Sequence, residues 1–135
     1  ISAAAKAHQF LTFTTPPNLQ RAVAYGLGND ESYFRSLSDD MQNKRDLLSK
    51  GLDKIGFDII DSQGTYFLTT GFGNTGFKGN DIEFCKYITT AAGVTAVPFS
   101  AFYRGSDMDG YIRFCFCKQD AILDEALDKL SLHFR

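Results

Sequence analysis

Cysteine, histidine, proline and excess positive charge are all scarce in this chain, and each scarcity removes a class of function. There are 3 cysteines, and Cys115 and Cys117 stand one residue apart on one strand face, which is a poor disulfide framework. Only His8 and His133 could join them around a metal, short of four ligands at the usual spacings. The thiols are therefore expected to be reduced and buried, and no metal is expected. Net charge is −2 and the pI is near 5.6, so the cationic stripe of a nucleic-acid reader is missing. No apolar run approaches the roughly eighteen residues of a membrane-crossing helix, and the first residues do not resemble a signal peptide. The expected setting is cytoplasmic, with neither nucleic acid nor membrane as partner. The 3 prolines interrupt the chain at only two places, Pro16-Pro17 and Pro98.

What is present suits a globular domain: 135 residues, 44% hydrophobic and 22% charged, enough to bury a core without staples. The opening Ile1-Ser2-Ala3-Ala4-Ala5 carries no initiator Met and already reads as helix, so the protein is expected to start upstream. That helix runs to about Leu11 and stops at Pro16-Pro17; Pro17 or Asn18 opens a second, ending near Gly26, Gly28 and Asn29. Residues 1–29 are apolar and short, so they are expected to dock on another domain or subunit. From Asp30 the recurrence of Phe34, Leu37, Met41, Leu48, Leu52 and Ile55 predicts a long amphipathic helix, which Gly56 stops. Two strands follow, residues 57–60 and 65–69, joined by Ser62-Gln63-Gly64. Asn80-Asp81-Ile82-Glu83 is a capping-box start for a helix that buries Phe84 and Ile88 and stops at Gly93. A third strand spans 94–97 and is ended by Pro98, a fourth spans 111–117, and a helix from Gln119 to about Phe134 closes the chain.

The fourth strand contains the residue that most needs an explanation. Strand alternation puts Ile112, Phe114 and Phe116 on a core face and Tyr111, Arg113, Cys115 and Cys117 on the other. An arginine there must meet an acid, reach water or bind an anion, and its planar five-donor fork suits a carboxylate. Structural pairing and anion binding both remain open on spacing alone. Gly71-Phe72-Gly73-Asn74-Thr75-Gly76 matches G-x-G-x-x-G but stands four residues short of the next helix, with no acid in the following strand for a ribose; it reads as a surface loop. His8 lacks a nucleophile in any visible partner arrangement and reads as a helix-surface or interface residue.

His8-Gln9 with Phe13 before the proline loop, Gln63-Gly64-Thr65-Tyr66-Phe67, Val97-Pro98 with Ser100, Phe102 and Tyr103, and Tyr111-Ile112-Arg113-Phe114-Cys115-Phe116 occur in that order along nearly the whole chain. Together they resemble the C-terminal part of a class I/II, fold-type-I pyridoxal-phosphate aminotransferase, in the kynurenine and methionine/glutamine transaminase branch. The resemblance implies an α/β, α+β-like small domain over residues 30–135. This would be a three- or four-stranded, largely antiparallel sheet with helices packed on one face, preceded by interdomain helices over residues 1–29. It implies that Arg113 clamps the α-carboxylate of amino-acid and 2-oxo-acid substrates, with Tyr66, Ser100 and Phe102 bordering the cleft. Phe13 and Thr14 would approach the active site of the neighbouring subunit in a homodimer; histidine is common at the Thr14 position in this branch. The lysine that carries pyridoxal 5'-phosphate and the groups that cradle the phosphate would lie upstream of Ile1. No residue here would then be catalytic or bind the cofactor, and the chain alone would be inactive. The rival expectations are a free-standing carboxylate or amino-acid binding module and a dimerisation piece.

Overall fold

A computed structural model describes residues 1–104 and 108–134. The chain divides into two compact units, Ile1–Ser36 and Leu37–Arg135.

In the first unit, α1 (Ser2–Thr12) follows the alanine run and ends at Phe13, whose N–H bonds the Gln9 carbonyl at 3.1 Å. The second helix, α2 (Pro17–Leu27), opens with proline in its first turn, where a missing N–H costs nothing. The Gln20 side-chain amide donates to the Thr15 carbonyl at 2.6 Å and ties the loop to this helix. Neither helix buries a residue: Phe10 and Phe13 are each 85% exposed, and Leu11, Val23, Tyr25 and Leu27 also face outward. The third helix, α3 (Glu31–Ile55), starts where Asp30 accepts from the Ser32 N–H at 2.8 Å. Its apolar stripe is as long as the spacing predicts, but only the part from Met41 onward packs on a core; Phe34 and Leu37 are exposed.

The second unit is a four-stranded sheet in the order β1-β2-β4-β3, antiparallel throughout, formed by β1 (Asp58–Ile59), β2 (Phe67–Gly71), β3 (Val97–Pro98) and β4 (Tyr111–Cys115). All four strands differ from their expected limits; β1 loses a residue at each end and β4 stops at Cys115, and the other two shift for local reasons. Thr65 takes a left-handed φ of 63° and its hydroxyl accepts from the Phe67 N–H, so the turn extends through Tyr66 and β2 begins at Phe67. At β3, Val94 and Ala96 sink into the core while the Val94 N–H bonds the Ile88 carbonyl, so pairing starts only at Val97. Pro98 is the last residue of β3, paired opposite Ile112, so the strand ends at the expected proline; an edge strand tolerates it there.

One sheet face carries Leu68, Thr70, Ile112 and Phe114, and against it pack Leu48 and Leu52 of α3, Phe84 and Ile88 of α4 (Asp81–Ala91) and Leu130 of α5 (Asp120–His133). The expected capping box opens α4: Asn80 accepts from the Glu83 N–H and Glu83 accepts from the Asn80 N–H, each at 3.0 Å. Helices thus cover one face and leave the other for the site.

Two packing details carry predictions. A β-carbon on Gly51 of α3 would come within 2.3–2.9 Å of the branched end of Leu127 on α5. Gly51→Ala, which helix propensity alone favours, is therefore expected to destabilise by about 1–3 kcal/mol in urea titrations. The cysteines do not share one environment. All are free, but only Cys85 is buried; Cys115 is half-buried and Cys117 exposed, because β4 ends before it. Burial, and secondarily the Asp81 charge, push the Cys85 thiol up from 9.0 to about 11. Between these values the unfolded chain releases a proton that the folded one keeps. Stability is expected to fall with rising pH across that window by up to about 1.4 kcal/mol per pH unit, and Cys85→Ser should flatten this slope.

Candidate functional site

Arg113 sits at the middle of β4, paired with Thr69 of β2 on one side and Val97 of β3 on the other. Cross-strand partners share a face, so Arg113, Thr69, Val97, Phe67, Cys115 and Tyr111 all point away from the helices. The alternation of β4 is visible in its burial: Ile112 and Phe114 are buried, and Tyr111, Arg113 and Cys115 are half-exposed.

The guanidinium carbon lies 4.5 Å from the centre of the Phe67 ring and 5.0 Å from that of Phe102. Its Nε is shielded from solvent without a hydrogen-bond partner, and among the described residues no carboxylate forms an ion pair with it. Ring contacts contribute about 0.5–2 kcal/mol but offer the shielded Nε no hydrogen-bond acceptor, while the rest of the half-exposed cation stays hydrated. The rings supply no acceptor for any of its five donors. The arrangement restrains a planar fork between two rings and leaves its donors for an anion. A carboxylate matches that fork in a bidentate fashion.

Phe102 is delivered by a four-residue 3-10 turn, Phe99–Phe102, which closes with the Tyr103 N–H on the Ser100 carbonyl at 3.1 Å. Phe99 stacks on Tyr103 with centres 5.0 Å apart and lies 6.2 Å from Tyr111. The Ser100 N–H and hydroxyl donate to the two carboxylate oxygens of Asp81, at 2.7 and 2.9 Å. Tyr66 is exposed, its ring 4.7 Å from that of Phe67.

Of the residues singled out from the sequence, the second unit thus brings together Arg113, Phe102 and, through Phe67, Tyr66. Ser100 belongs to the same turn, with its hydroxyl engaged by Asp81. Phe13 and Thr14 belong to the first unit, where Phe13 caps α1 and the Thr14 hydroxyl donates to the Thr15 carbonyl at 3.4 Å. His8 is on the exposed surface of α1, with its Nε2 3.3 Å from the Thr12 hydroxyl. In the glycine-rich stretch, Gly71 ends β2, Gly73–Thr75 forms a 3-10 turn and Gly76 is left-handed, all before α4. From the sequence, Phe67 appeared only within the Gln63–Phe67 motif and Asp81 only in the helix start. The signal for Phe67 was its strand register, which pairing alone reveals.

The model of the family described as aminotransferase class I and II matches residues 1–130. Among curated proteins, the kynurenine–oxoglutarate transaminase of Dictyostelium discoideum is 36% identical over 96% of this chain and 34% of its own length. The methionine aminotransferase of Escherichia coli is 34% identical over 93% and 32% respectively. The solved structure of N-succinyldiaminopimelate aminotransferase from Mycobacterium tuberculosis superposes with a TM-score of 0.83 at 38% identity, covering 92% of this chain and 32% of that one. The chain spans about a third of the length of the curated relatives it matches. With this fold, this order of motifs and a match along nearly its whole length, the chain belongs to the class I and II aminotransferase family.

Proposed function

We propose that this chain is the small-domain part of an aminotransferase that moves an amino group from an L-amino acid of the methionine, glutamine, kynurenine or aromatic type to a 2-oxo acid. Arg113 holds the α-carboxylate that donor and acceptor share. The observation that carries this reading is the guanidinium set over the Phe67 and Phe102 rings without a carboxylate partner among the described residues. The relatives named as kynurenine–oxoglutarate transaminase and methionine aminotransferase support the substrate range. Held at both oxygens, the carboxylate cannot swing, and the Cα substituents of the substrate are presented in one orientation to the reacting groups. The two rings beside the guanidinium keep water from part of it and strengthen the charge interaction.

In this reading the cofactor site is built outside this chain. The lysines lie on helices (Lys6, Lys44, Lys50, Lys54, Lys86 and Lys129) or in loops (Lys78 and Lys118), and none belongs to a strand of the sheet. Pyridoxal phosphate, which supplies the electron sink for such chemistry, is assigned in this reading to the rest of the enzyme, and the isolated chain is inactive. The enzyme is a homodimer in the same reading, with Phe13 and Thr14 near the neighbouring subunit's site; the outward apolar side chains of α1 and α2 support a covering surface.

Arg113→Lys in the full-length enzyme provides the test. A point charge replaces the fork, so KM for both amino acid and 2-oxo acid should rise by about tenfold with a smaller change in kcat. Unchanged KM for both substrates would remove Arg113 from the site.

A further inference from the structure

We infer that Asp81 is a positioning residue for the Arg113 clamp: through Ser100 it fixes the turn that holds the Phe102 ring against the guanidinium. The inference rests on the carboxylate-binding role proposed for Arg113 and extends it to a residue on another element.

Asp81 is only 1% exposed, and among the described residues it has no cationic partner. It stands at the first position of α4, where a carboxylate is favoured by the helix dipole, but that helix is already capped on both sides of the Asn80–Glu83 box. The Asp81 carboxylate is not needed as a cap. Both its oxygens instead accept from a single residue nineteen positions away, the Ser100 N–H and hydroxyl. Charge-assisted bonds of this kind in a dry setting are short, strong and directional.

What they restrain is small. The turn Phe99–Phe102 has four residues, and its last, Phe102, is 57% exposed, so core packing does little to hold the ring. Val97 and Pro98 of β3 pair with β4 directly before the segment, and the Phe99–Tyr103 stack near Tyr111 ties its two ends together; within the turn, the side-chain hold is Ser100 on Asp81. Phe102 follows Ser100 by two residues, and its ring lies 5.0 Å from the Arg113 guanidinium carbon. A rotation of the turn about Ser100 would move the ring off the cation. Without that ring the guanidinium gains water and rotamers, and the fork loses its fixed plane.

The experiment uses the full-length holoenzyme and 3-phenylpropionate, a carboxylate with neither amino nor keto group, titrated calorimetrically against Ser100→Ala, Asp81→Asn and Arg113→Lys variants and their combinations. Ser100→Ala should raise Kd about threefold and Asp81→Asn about tenfold, in line with losing a neutral or a charged partner of a hydrogen bond. Both factors should fall to about one in the Arg113→Lys background, because coupled residues are non-additive. If Arg113→Lys itself leaves Kd unchanged, the carboxylate role fails and this inference with it. If Arg113→Lys weakens the probe while Ser100→Ala and Asp81→Asn do not, the inference alone is overturned. Equal losses in both backgrounds would also overturn it, by showing a general structural effect. Should Asp81→Asn not fold, Ser100→Ala decides, since it removes one hydroxyl and keeps the backbone bond.

Discussion

Arg113→Ala is expected to lower kcat/KM of the full-length enzyme by about 10²- to 10³-fold for every amino-acid and 2-oxo-acid substrate, the cost of losing a bidentate charge-assisted contact of about 3–4 kcal/mol. The effect should be general because the carboxylate is the part every substrate shares. Stability should move the other way or not at all. The guanidinium has an unpartnered, shielded Nε, and its ring contacts do not replace lost hydration. Removing it should leave the melting temperature unchanged or slightly higher. Steady-state kinetics alongside thermal unfolding check both halves, and a variant that lost activity only in proportion to lost fold would contradict the assignment.

The second large effect is structural. Phe84→Ala is expected to destabilise the small domain by about 3–5 kcal/mol. Its side chain is 0% exposed and meets four rings: Phe72 stacked at 4.3 Å, Phe77 at 5.1 Å, Phe134 at 5.6 Å and Phe57 at 6.0 Å. These partners come from the end of β2, the loop before α4, the end of α5 and the approach to β1, so truncation opens a cavity where four segments converge. Hydrogen exchange of β2 and β4 amides in the full-length enzyme should accelerate by about 10²- to 10³-fold or more. Phe102→Ala, on an exposed ring, should stay within about 0.5 kcal/mol of wild type by the same measure. Comparable acceleration in both would contradict this placement of the core.

Local patterns were legible where one segment determines its own structure. The α4 box is written in Asn80 and Glu83, and the two faces of β4 are written in its alternation. The arginine was conspicuous because it broke an apolar strand. Strand limits were less legible: Val94 and Ala96 look like strand until they are seen in the core before β3 begins at Val97, and Thr65 looks like strand until its left-handed φ is seen. Least legible was the surrounding of Arg113. Phe67 reaches it through register with Cys115, Phe102 through a turn, and that turn through a bond from Ser100 to Asp81. Each is a long-range contact that no periodicity records. The thiols were read together because Cys115 and Cys117 share a strand face, yet β4 ends between them.

The claim that Arg113 binds the substrate carboxylate is tested most directly by comparing 3-phenylpropionate with its uncharged isostere 3-phenylpropanamide on the wild-type holoenzyme and on Arg113→Ala. The wild type should prefer the carboxylate by about 10²-fold, and the variant should bind the two within about threefold of each other, since the amide cannot use the fork's charge. A preference for the carboxylate that survives in Arg113→Ala would place the anion-binding group elsewhere in the enzyme and contradict the account.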